Sequence, residues 1–276
     1  MNFEQELQQQ FFEQQISGHS IFIKLNDGEF VAKSCSTENN NEQMYVFNQN
    51  ISFYEWVQHI QGYQDFFSQY NGVITLEENK VIEKPKLDQR QQKWMDSLIA
   101  KRFNPNNKKY LLLENLIQNQ KNLRILDIKL GFTVEKQSHI MRYQESTSSK
   151  VGLRICGMKV QENNKIIVFR DKHWGRRISI DELTEELKTF FNIQKKNQMI
   201  INLTEKIENL KSFITQKCKE VISWQGTSLL IISDSEDDLK IRLIDFSKAK
   251  VEKQSNQQNI DIINSLNSLL ELVKQI

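Results

Sequence analysis

The chain has 276 residues, 38% hydrophobic and 26% charged, so it can bury a sizeable core in one large domain or in two lobes. Its formal net charge of +2 provides no overall field that would attract nucleic acid or a membrane surface, so any anion site must be a local arrangement of basic residues. The three cysteines are far apart and lack CxxC spacing, which argues against a disulfide framework and a structural zinc site.

The N-terminal stretch MNFEQELQQQFFEQQI has neither a basic region nor an apolar core, so it is not typical of a secretion signal. No later run approaches the ~18 uninterrupted apolar residues of a membrane span. We therefore expect a cytoplasmic or nuclear protein with no membrane segment. Within this stretch, Phe3, Leu7 and Phe11 recur every four residues, which predicts an N-terminal helix.

The rest of the N-terminal half is predicted to form a small antiparallel sheet with helices on one side. SIFIKL and EFVAKS alternate in polarity around Asn26-Asp27-Gly28, as in a hairpin, with Lys33 near its end. Further predicted elements are helices over 42–47, 52–60 and 87–103, a hairpin in NGVITLEENKVIEK turning at 78–79, and the strands KYLLLENL and LRILDIKLG.

The C-terminal half mixes helices and strands. The segments VGLRICGMKV and KIIVFR predict strands, and TSLLIISD with LKIRLIDF predicts a hairpin that has an acidic loop. Helices are predicted over 135–147, 180–191, 198–220 and 259–274. A sheet-rich first half followed by this mixture indicates a two-lobed α+β protein.

Two strands end in an aspartate followed closely by a lysine: LRILDIKLG and IRLIDFSKAK. The strand period of two places Asp127 and Lys129 on one face, where they could form an ion pair at a sheet edge. Asp245 alone could equally occupy a turn or a helix N-cap. Together, however, the two endings suggest a site that holds a metal ion and a phosphorylated ligand.

Phosphoryl transfer needs a lysine against the nucleotide phosphates, a carboxylate for Mg²⁺, and basic groups for the acceptor. Lys33 in EFVAKS has the context of a kinase strand lysine, and Asp245 in LIDFS that of a metal-binding aspartate. The sequence lacks a GxGxxG loop, a Walker GxxxxGKS/T motif and an HRDLxxxN loop. It is therefore neither an ordinary protein kinase nor a P-loop enzyme.

Five blocks in order and at matching separations resemble the inositol polyphosphate kinases: LDIKLG, ESTSSKVGLRICGMKV, WGRRIS, TSLLIISD and LIDFSKA. The resemblance runs from about Phe30 to Phe246, and the second and third blocks are most like the inositol hexakisphosphate kinase branch. Two positions depart from the pattern. Leu123 replaces the usual proline, and Lys248 replaces the histidine of that branch, as in some trisphosphate 3-kinases.

The resemblance implies a kinase-like fold with an N-lobe over 1–115 and a C-lobe over 116–276, with the nucleotide between them. It also implies ATP and Mg²⁺ as cofactors and a role for each matching residue. By this resemblance Lys33 would bind the nucleotide phosphates, the backbone of Glu114 and Leu116 would bind adenine, and Asp127 would bind the ribose. Lys129 would bind the inositol phosphate, and Asp245 would hold Mg²⁺. Ser228 would lie near the phosphates and the metal. Lys129 and Asp245 are the expected catalytic residues.

A second basic cluster is predicted on the helix over 135–147, where Lys136, His139 and Arg142 fall at i, i+3 and i+6. A solvated helix face is the alternative. The resemblance favours acceptor binding, because this segment of the family supplies acceptor-site residues.

We accordingly expect a monomeric enzyme that adds a β-phosphate to inositol hexakisphosphate, forming a diphosphoinositol polyphosphate, with no nucleic-acid or membrane partner. One alternative is an inositol trisphosphate kinase or multikinase that phosphorylates ring hydroxyls. Another is a non-catalytic inositol-phosphate-binding module.

Overall fold

The computed structural model describes residues 9–18, 20–25, 28–34, 41–75, 89–102, 109–117, 121–133, 140–191, 196–233, 239–253, 255–256 and 258–276. The strands within these ranges are β1 (Gln9–Phe11), β2 (Phe22–Leu25), β3 (Phe30–Ser34), β4 (Tyr70–Thr75), β5 (Lys109–Glu114), β6 (Arg124–Leu130), β7 (Leu153–Glu162), β8 (Lys165–Arg170), β9 (Val221–Ser223), β10 (Ser228–Ser233), β11 (Leu239–Ile244) and β12 (Lys250–Val251). The helices are α1 (Asn41–Val57), α2 (Gln89–Arg102), α3 (Ile140–Gln144), α4 (Ser148–Val151), α5 (Lys172–Gly175), α6 (Ile180–Phe190), α7 (Lys196–Lys217) and α8 (Ile260–Val273).

The first sheet is antiparallel, with the strand order β1-β2-β3-β5-β4. The predicted β2–β3 hairpin is confirmed, with Phe22 opposite Lys33 and with Gly28 at a φ of 89° in its connection. The predicted N-terminal helix is wrong where it can be checked, because Gln9–Phe11 pairs with the open edge of β2. Its earlier residues, and the turn predicted at 78–79, lie outside the described residues.

The first sheet is covered on both faces. The predicted helix over 87–103 is confirmed as α2, whose Met95 packs with Ile23 and Leu112 against one face. Side chains of the opposite face, among them Val31 and Leu113, join the main core instead. The sheet is therefore fastened to the rest of the molecule through its inner face.

The second sheet is also antiparallel, with the strand order β11-β10-β6-β7-β8. We predicted that LRILDIKLG would complete the first sheet, and this is wrong, because β6 lies at the centre of the second one. The near-continuous burial of β6 fits a strand that is paired on both sides and covered on both faces. An ion pair at a sheet edge is thereby excluded as the reason for Asp127 and Lys129.

The helices mostly confirm the sequence pattern. The predictions over 180–191, 198–220 and 259–274 correspond to α6, α7 and α8, and a capping box of Ser179 and Glu182 fixes the start of α6. The stretches predicted at 42–47 and 52–60 form one helix, α1. Of the helix predicted over 135–147, residues 135–139 lie outside the described residues, and the described part contains α3.

Two antiparallel sheets with packed helices confirm the α+β class. The predicted lobe boundary at 115/116 stays a prediction. None of the described helices is long and apolar enough to cross a membrane.

Candidate active site

An ion pair joins the two sheets. Lys33, near the end of β3, reaches Asp245 in the turn after β11, with 2.6 Å between Nζ and Oδ1. The two side chains are 14% and 31% exposed, so the pair lies at the margin of the core and can be reached from solvent. Asp245 has a φ of 66°, a left-handed conformation that aspartate tolerates. Its neighbour Phe246 is buried and stacks on Phe53, with ring centroids 4.1 Å apart, which fixes the turn.

Asp127 lies in the middle of β6 and is only 1% exposed. The hydroxyl of Ser17 donates a hydrogen bond to its Oδ2, while Oδ1 is buried without a hydrogen-bond partner in the described part of the chain. Burial and the nearby charge of Asp245 raise the pKa of the Asp127 carboxyl group. A buried carboxylate with one unsatisfied oxygen is costly by itself, and a ligand that donates a hydrogen bond would satisfy it.

Lys129 follows on the same face of β6 and is half-buried. Its ammonium group donates to the carbonyl oxygen of Gly226, in the turn before β10. Ser228, at the start of β10, lies opposite Lys129 in register and is 1% exposed. Lys129 and Ser228 therefore lie opposite each other on paired strands, two residues along β6 from Asp127.

A pocket of about 150 Å³ opens beside Lys129. Three further basic residues line it, namely Arg154 of β7, Arg176 after α5 and Lys248 after β11, and its described lining contains no carboxylate. Arg154 is opposite Lys129 in register, and Lys248 packs along Gly226. Four cationic groups around one cavity are suited to a ligand that carries several phosphates.

One wall of this pocket is the loop 131–133, which α8 and α3 hold in place. The backbone N–H of Gly131 donates to Ser265 Oγ at 3.0 Å, and that of Phe132 donates to Asp261 Oδ1 at 2.8 Å. From the other side, the hydroxyl of Tyr143 donates to the carbonyl oxygen of Phe132. The wall is therefore fixed by three side chains, from α8 and α3, that bond to its backbone.

The predicted adenine-binding segment follows β5. Asn115 fixes it, because its N–H donates to Glu29 O at 3.0 Å and its side-chain amide donates to Gly28 O at 2.7 Å. The backbone N–H of Glu114 donates a hydrogen bond to the carbonyl oxygen of Gln69 at 3.0 Å. No hydrogen bond of the Leu116 backbone is found among the described residues, so this N–H can serve a ligand.

The structure brings together Lys33, Asp127, Lys129, Ser228 and Asp245, although they come from three segments of the chain. Lys136 and His139 lie outside the described residues, and of Arg142 only the backbone, in α3, is described. Their proposed role stays a prediction. The described residues contain no cluster of three or more His, Cys, Asp or Glu residues that could hold a metal ion by itself.

Sequence reasoning missed Ser17, Arg154 and Arg176 as site residues. Arg154 and Arg176 stand inside quoted blocks, and the alternation GLRICGM places Arg154 on the opposite face from Ile155. That alternation was the available signal. For Ser17 there was none, because its contact with Asp127 joins residues 110 positions apart.

A family model described as inositol polyphosphate kinase matches residues 110–274. Inositol hexakisphosphate kinase 2 of Homo sapiens is 30% identical over 143 residues, which are 48% of this chain and 33% of that protein. Inositol polyphosphate multikinase of Saccharomyces cerevisiae is 28% identical over 170 residues, 52% of this chain and 47% of that protein. The chain therefore matches about a third of the length of the first relative and about half of the second.

A similar fold is found in the crystal structure of an inositol phosphate multikinase from S. cerevisiae in complex with ADP and Mn²⁺. The TM-score is 0.63 at 21% identity, and the match covers 90% of this chain and 99% of the other. At this identity the similarity shows the fold.

Proposed function

The chain belongs to the inositol polyphosphate kinase family, and we propose that it transfers the γ-phosphoryl group of ATP to an inositol polyphosphate, with Mg²⁺ as the metal. The observation that carries this proposal is the position of the four-cation pocket. It opens beside Lys129, two residues along β6 from Asp127 and close to the turn that holds Asp245. A polyanion pocket next to a lysine–carboxylate pair supplies the parts that phosphoryl transfer needs.

The nucleotide would lie between the N-lobe, 1–115, and the C-lobe, 116–276. The backbone of Glu114 and Leu116 would hold adenine, Asp127 the ribose hydroxyls, and Lys33 the phosphates, with Ser228 nearby. The unsatisfied Oδ1 of Asp127 supports the ribose role, because a hydroxyl group can donate to it. The half-buried position of Lys33 supports a phosphate role, since partial burial strengthens each charge contact.

The carboxylates present fit Mg²⁺. In phosphoryl-transfer sites this ion is usually held by one or two carboxylates together with substrate phosphates and water, so a dedicated protein cage is not required. Asp245 is partly exposed and charged, and would hold the ion. When bound, Mg²⁺ supplies positive charge against the phosphate oxygens of the nucleotide.

Lys129 and the pocket cations would position the acceptor. In the transfer, the bond between the γ-phosphorus and the oxygen that bridges it to the β-phosphate breaks, and a bond to an acceptor oxygen forms, leaving ADP. If the acceptor is a phosphate, its oxygen is already ionised at neutral pH and no general base is needed. Catalysis then rests on positioning and charge neutralisation.

Inositol hexakisphosphate is the proposed acceptor, which would make the product a diphosphoinositol polyphosphate. The concentration of cations around the pocket supports a highly charged ligand. Phosphorylation of a ring hydroxyl on a less phosphorylated inositol is the second candidate. It is favoured by Lys248 and by the similarity to a multikinase over 52% of this chain.

Incubation of the purified protein with labelled ATP, Mg²⁺ and inositol phosphates carrying three to six phosphates tests the proposal. We expect transfer to at least one acceptor, with the highest kcat/KM for the hexakisphosphate. A wild type that prefers a trisphosphate tenfold, ~1.4 kcal/mol in transition-state binding, would contradict the acceptor choice but not the kinase activity. Binding of inositol phosphates without transfer would favour the non-catalytic alternative.

A further inference from the structure

Residues 12–18, which we call the strap, connect β1 to β2 and leave the first sheet on the way. They cross to the second sheet, where Phe12 and Ile16 are buried in the main core. Near the end of the strap, the hydroxyl of Ser17 donates to Oδ2 of Asp127. A segment of the N-terminal sheet thus contacts the carboxylate for which we propose a ribose-binding role.

The strap passes unusually close to β7, at the residue paired with Asp127. Gly157 lies opposite Asp127 in register, and a Cβ at this position would be 2.5 Å from the carbonyl oxygen of Ile16. It would also be 3.1 Å from Cβ of Ser17. The missing side chain of Gly157 therefore lets the strap approach β6 closely enough for Ser17 to reach Asp127.

A buried lysine anchors the start of the strap. Lys159 of β7 is 1% exposed, and its ammonium group donates to the Glu13 carbonyl oxygen at 3.2 Å and to the Gln14 side-chain oxygen. Beyond this point the side-chain amide of Gln15 donates to Ser17 O at 3.0 Å and to Ser20 O at 2.7 Å. Because buried charges and amides require such partners, the course of the strap is closely specified.

We infer that Ser17 is a positioning residue for nucleotide binding, which orients Asp127 so that its other oxygen, Oδ1, is presented to the ribose hydroxyls. This inference rests on the proposed function of Asp127. Ser17 donates a hydrogen bond to Oδ2 of this carboxylate, and the hydroxyl of Ser228 lies close enough to favour its ionised form. Without the hydrogen bond from Ser17, the buried carboxylate is expected to rotate towards another donor, and Oδ1 would no longer be aligned with the ribose.

The test compares ATP with 2′,3′-dideoxy-ATP, which lacks both ribose hydroxyls. We expect Ser17→Ala to lower kcat/KM for ATP about tenfold, mainly through KM, the size expected for one hydrogen bond to a charged group. The value for the dideoxy nucleotide should stay unchanged, so that the preference of the enzyme for ATP shrinks. Ser17→Thr keeps a hydroxyl and should restore the preference, and Ser20→Ala, in the same segment, should not alter it.

Gly157→Ala provides an independent test, because the added Cβ would displace the strap while the hydroxyl group of Ser17 is retained. It should reduce the preference for ATP as Ser17→Ala does, and the double variant should lose little more. An unchanged preference in Ser17→Ala, an equal loss with both nucleotides, or a lower KM for ATP would each overturn the inference. The last result would show that Ser17 competes with the ribose.

Asp127→Asn separates the proposed ribose role of Asp127 from the positioning role of Ser17. Loss of the ATP preference in Asp127→Asn but not in Ser17→Ala would leave the ribose role standing and remove only the role of Ser17. If Asp127→Asn kept the preference, the ribose role would fail, and the inference with it. Transfer of phosphate by the wild type is measured separately and decides the proposed kinase activity.

Discussion

The proposed nucleotide side and the proposed acceptor side of the site differ in the signs of the charges that they bring together. On the nucleotide side both signs of charge occur, since Lys33 pairs with Asp245 and a second carboxyl group, that of Asp127, lies nearby. On the acceptor side Lys129, Arg154, Arg176 and Lys248 line one pocket whose described lining contains no carboxylate. The first region contains an ion pair of opposite charges, whereas the second concentrates charge of one sign around a cavity.

This difference predicts on which side the stability of the folded protein depends more on a bound ligand. Like charges around a cavity repel one another, and a polyanion that enters the cavity relieves the repulsion while it forms charge-assisted hydrogen bonds. Opposite charges in contact need no ligand to be compatible with the folded state. Substitutions on the nucleotide side should therefore alter chemistry and nucleotide binding, and those on the acceptor side should alter ligand-dependent stability and salt sensitivity.

The largest effect is expected for Asp245→Asn, which keeps the shape of the side chain but removes the charge that would hold Mg²⁺. We expect kcat to fall by about 10³-fold or more, because a neutral amide is a poor ligand for this ion. Steady-state rates with ATP and Mg²⁺ measure the loss, and circular dichroism checks the fold. Wild-type turnover in this variant would remove the metal role.

The next effect distinguishes Lys129 from the other pocket cations. Lys129→Ala should lower kcat/KM by roughly 10²-fold, since this side chain leaves a rigid central strand beside the point of transfer. Arg154→Ala and Arg176→Ala should each cost about tenfold, because their phosphate contacts are shared with neighbours. Rates measured with one acceptor give the order, and equal small losses in all three variants would indicate a surface patch.

Thermal unfolding should show the ligand dependence of the acceptor side. At 100 times its Kd, inositol hexakisphosphate should stabilise the wild type by ~2.7 kcal/mol and raise Tm accordingly. The rise should shrink between low and physiological salt, because screening weakens the charge contacts. Arg176→Gln should reduce the rise with the hexakisphosphate but not the rise with ADP. A loss with both ligands would mean that the substitution disturbs the whole site.

The smallest effect is a gain of stability in Asp127→Asn. Burial and the charge of Asp245 raise the pKa of Asp127, so the folded state binds this proton more tightly than the unfolded state does. The ionised carboxylate therefore costs stability, fully so above its folded-state pKa. The cost shrinks as the pH falls below this value and is gone below the pKa of the unfolded state.

Asn removes the charge of Asp127 at every pH. We expect a gain of about 1 kcal/mol at neutral pH that shrinks in acid, measured as Tm against pH. Asp181→Asn, at an exposed position in α6, serves as the control and should show no such gain. A lower Tm for Asp127→Asn at neutral pH would contradict the prediction.

Local patterns predicted most of the elements that carry the site. The aliphatic residues of LRILDIKLG predicted the strand that carries Asp127 and Lys129, and the segments of the β10–β11 hairpin that leads to Asp245 were equally clear. The place of β6 within the second sheet was not predictable, because the choice of neighbouring strands depends on packing between distant segments. Pairing with β10 and β7 is what converts an apparent sheet edge into the centre of the molecule.

The predicted acceptor residues illustrate a second reason for partial success. A helical pattern singled out Lys136, His139 and Arg142, whereas Arg154 and Arg176 reach the pocket from a strand and from the turn after a very short helix. Each of these two arginines looks like an isolated surface charge in the sequence. Only the close contact of Gly175 with the backbone of Ile155 places the Arg176 turn beside β7, and that contact has no local signature.

The hydrogen bonds of Lys159 limit how far the protein can be truncated from its N-terminus. The segment 110–274 matches the family model, but the buried ammonium group of Lys159 donates a hydrogen bond to a residue 145 positions earlier. Phe12 and Ile16 fill part of the main core. A fragment that starts at residue 110 would expose this core and remove two hydrogen-bond acceptors, in Glu13 and Gln14, from the buried ammonium group of Lys159. The minimal folding unit is therefore larger than the segment that identifies the family, and truncation series should keep the strap.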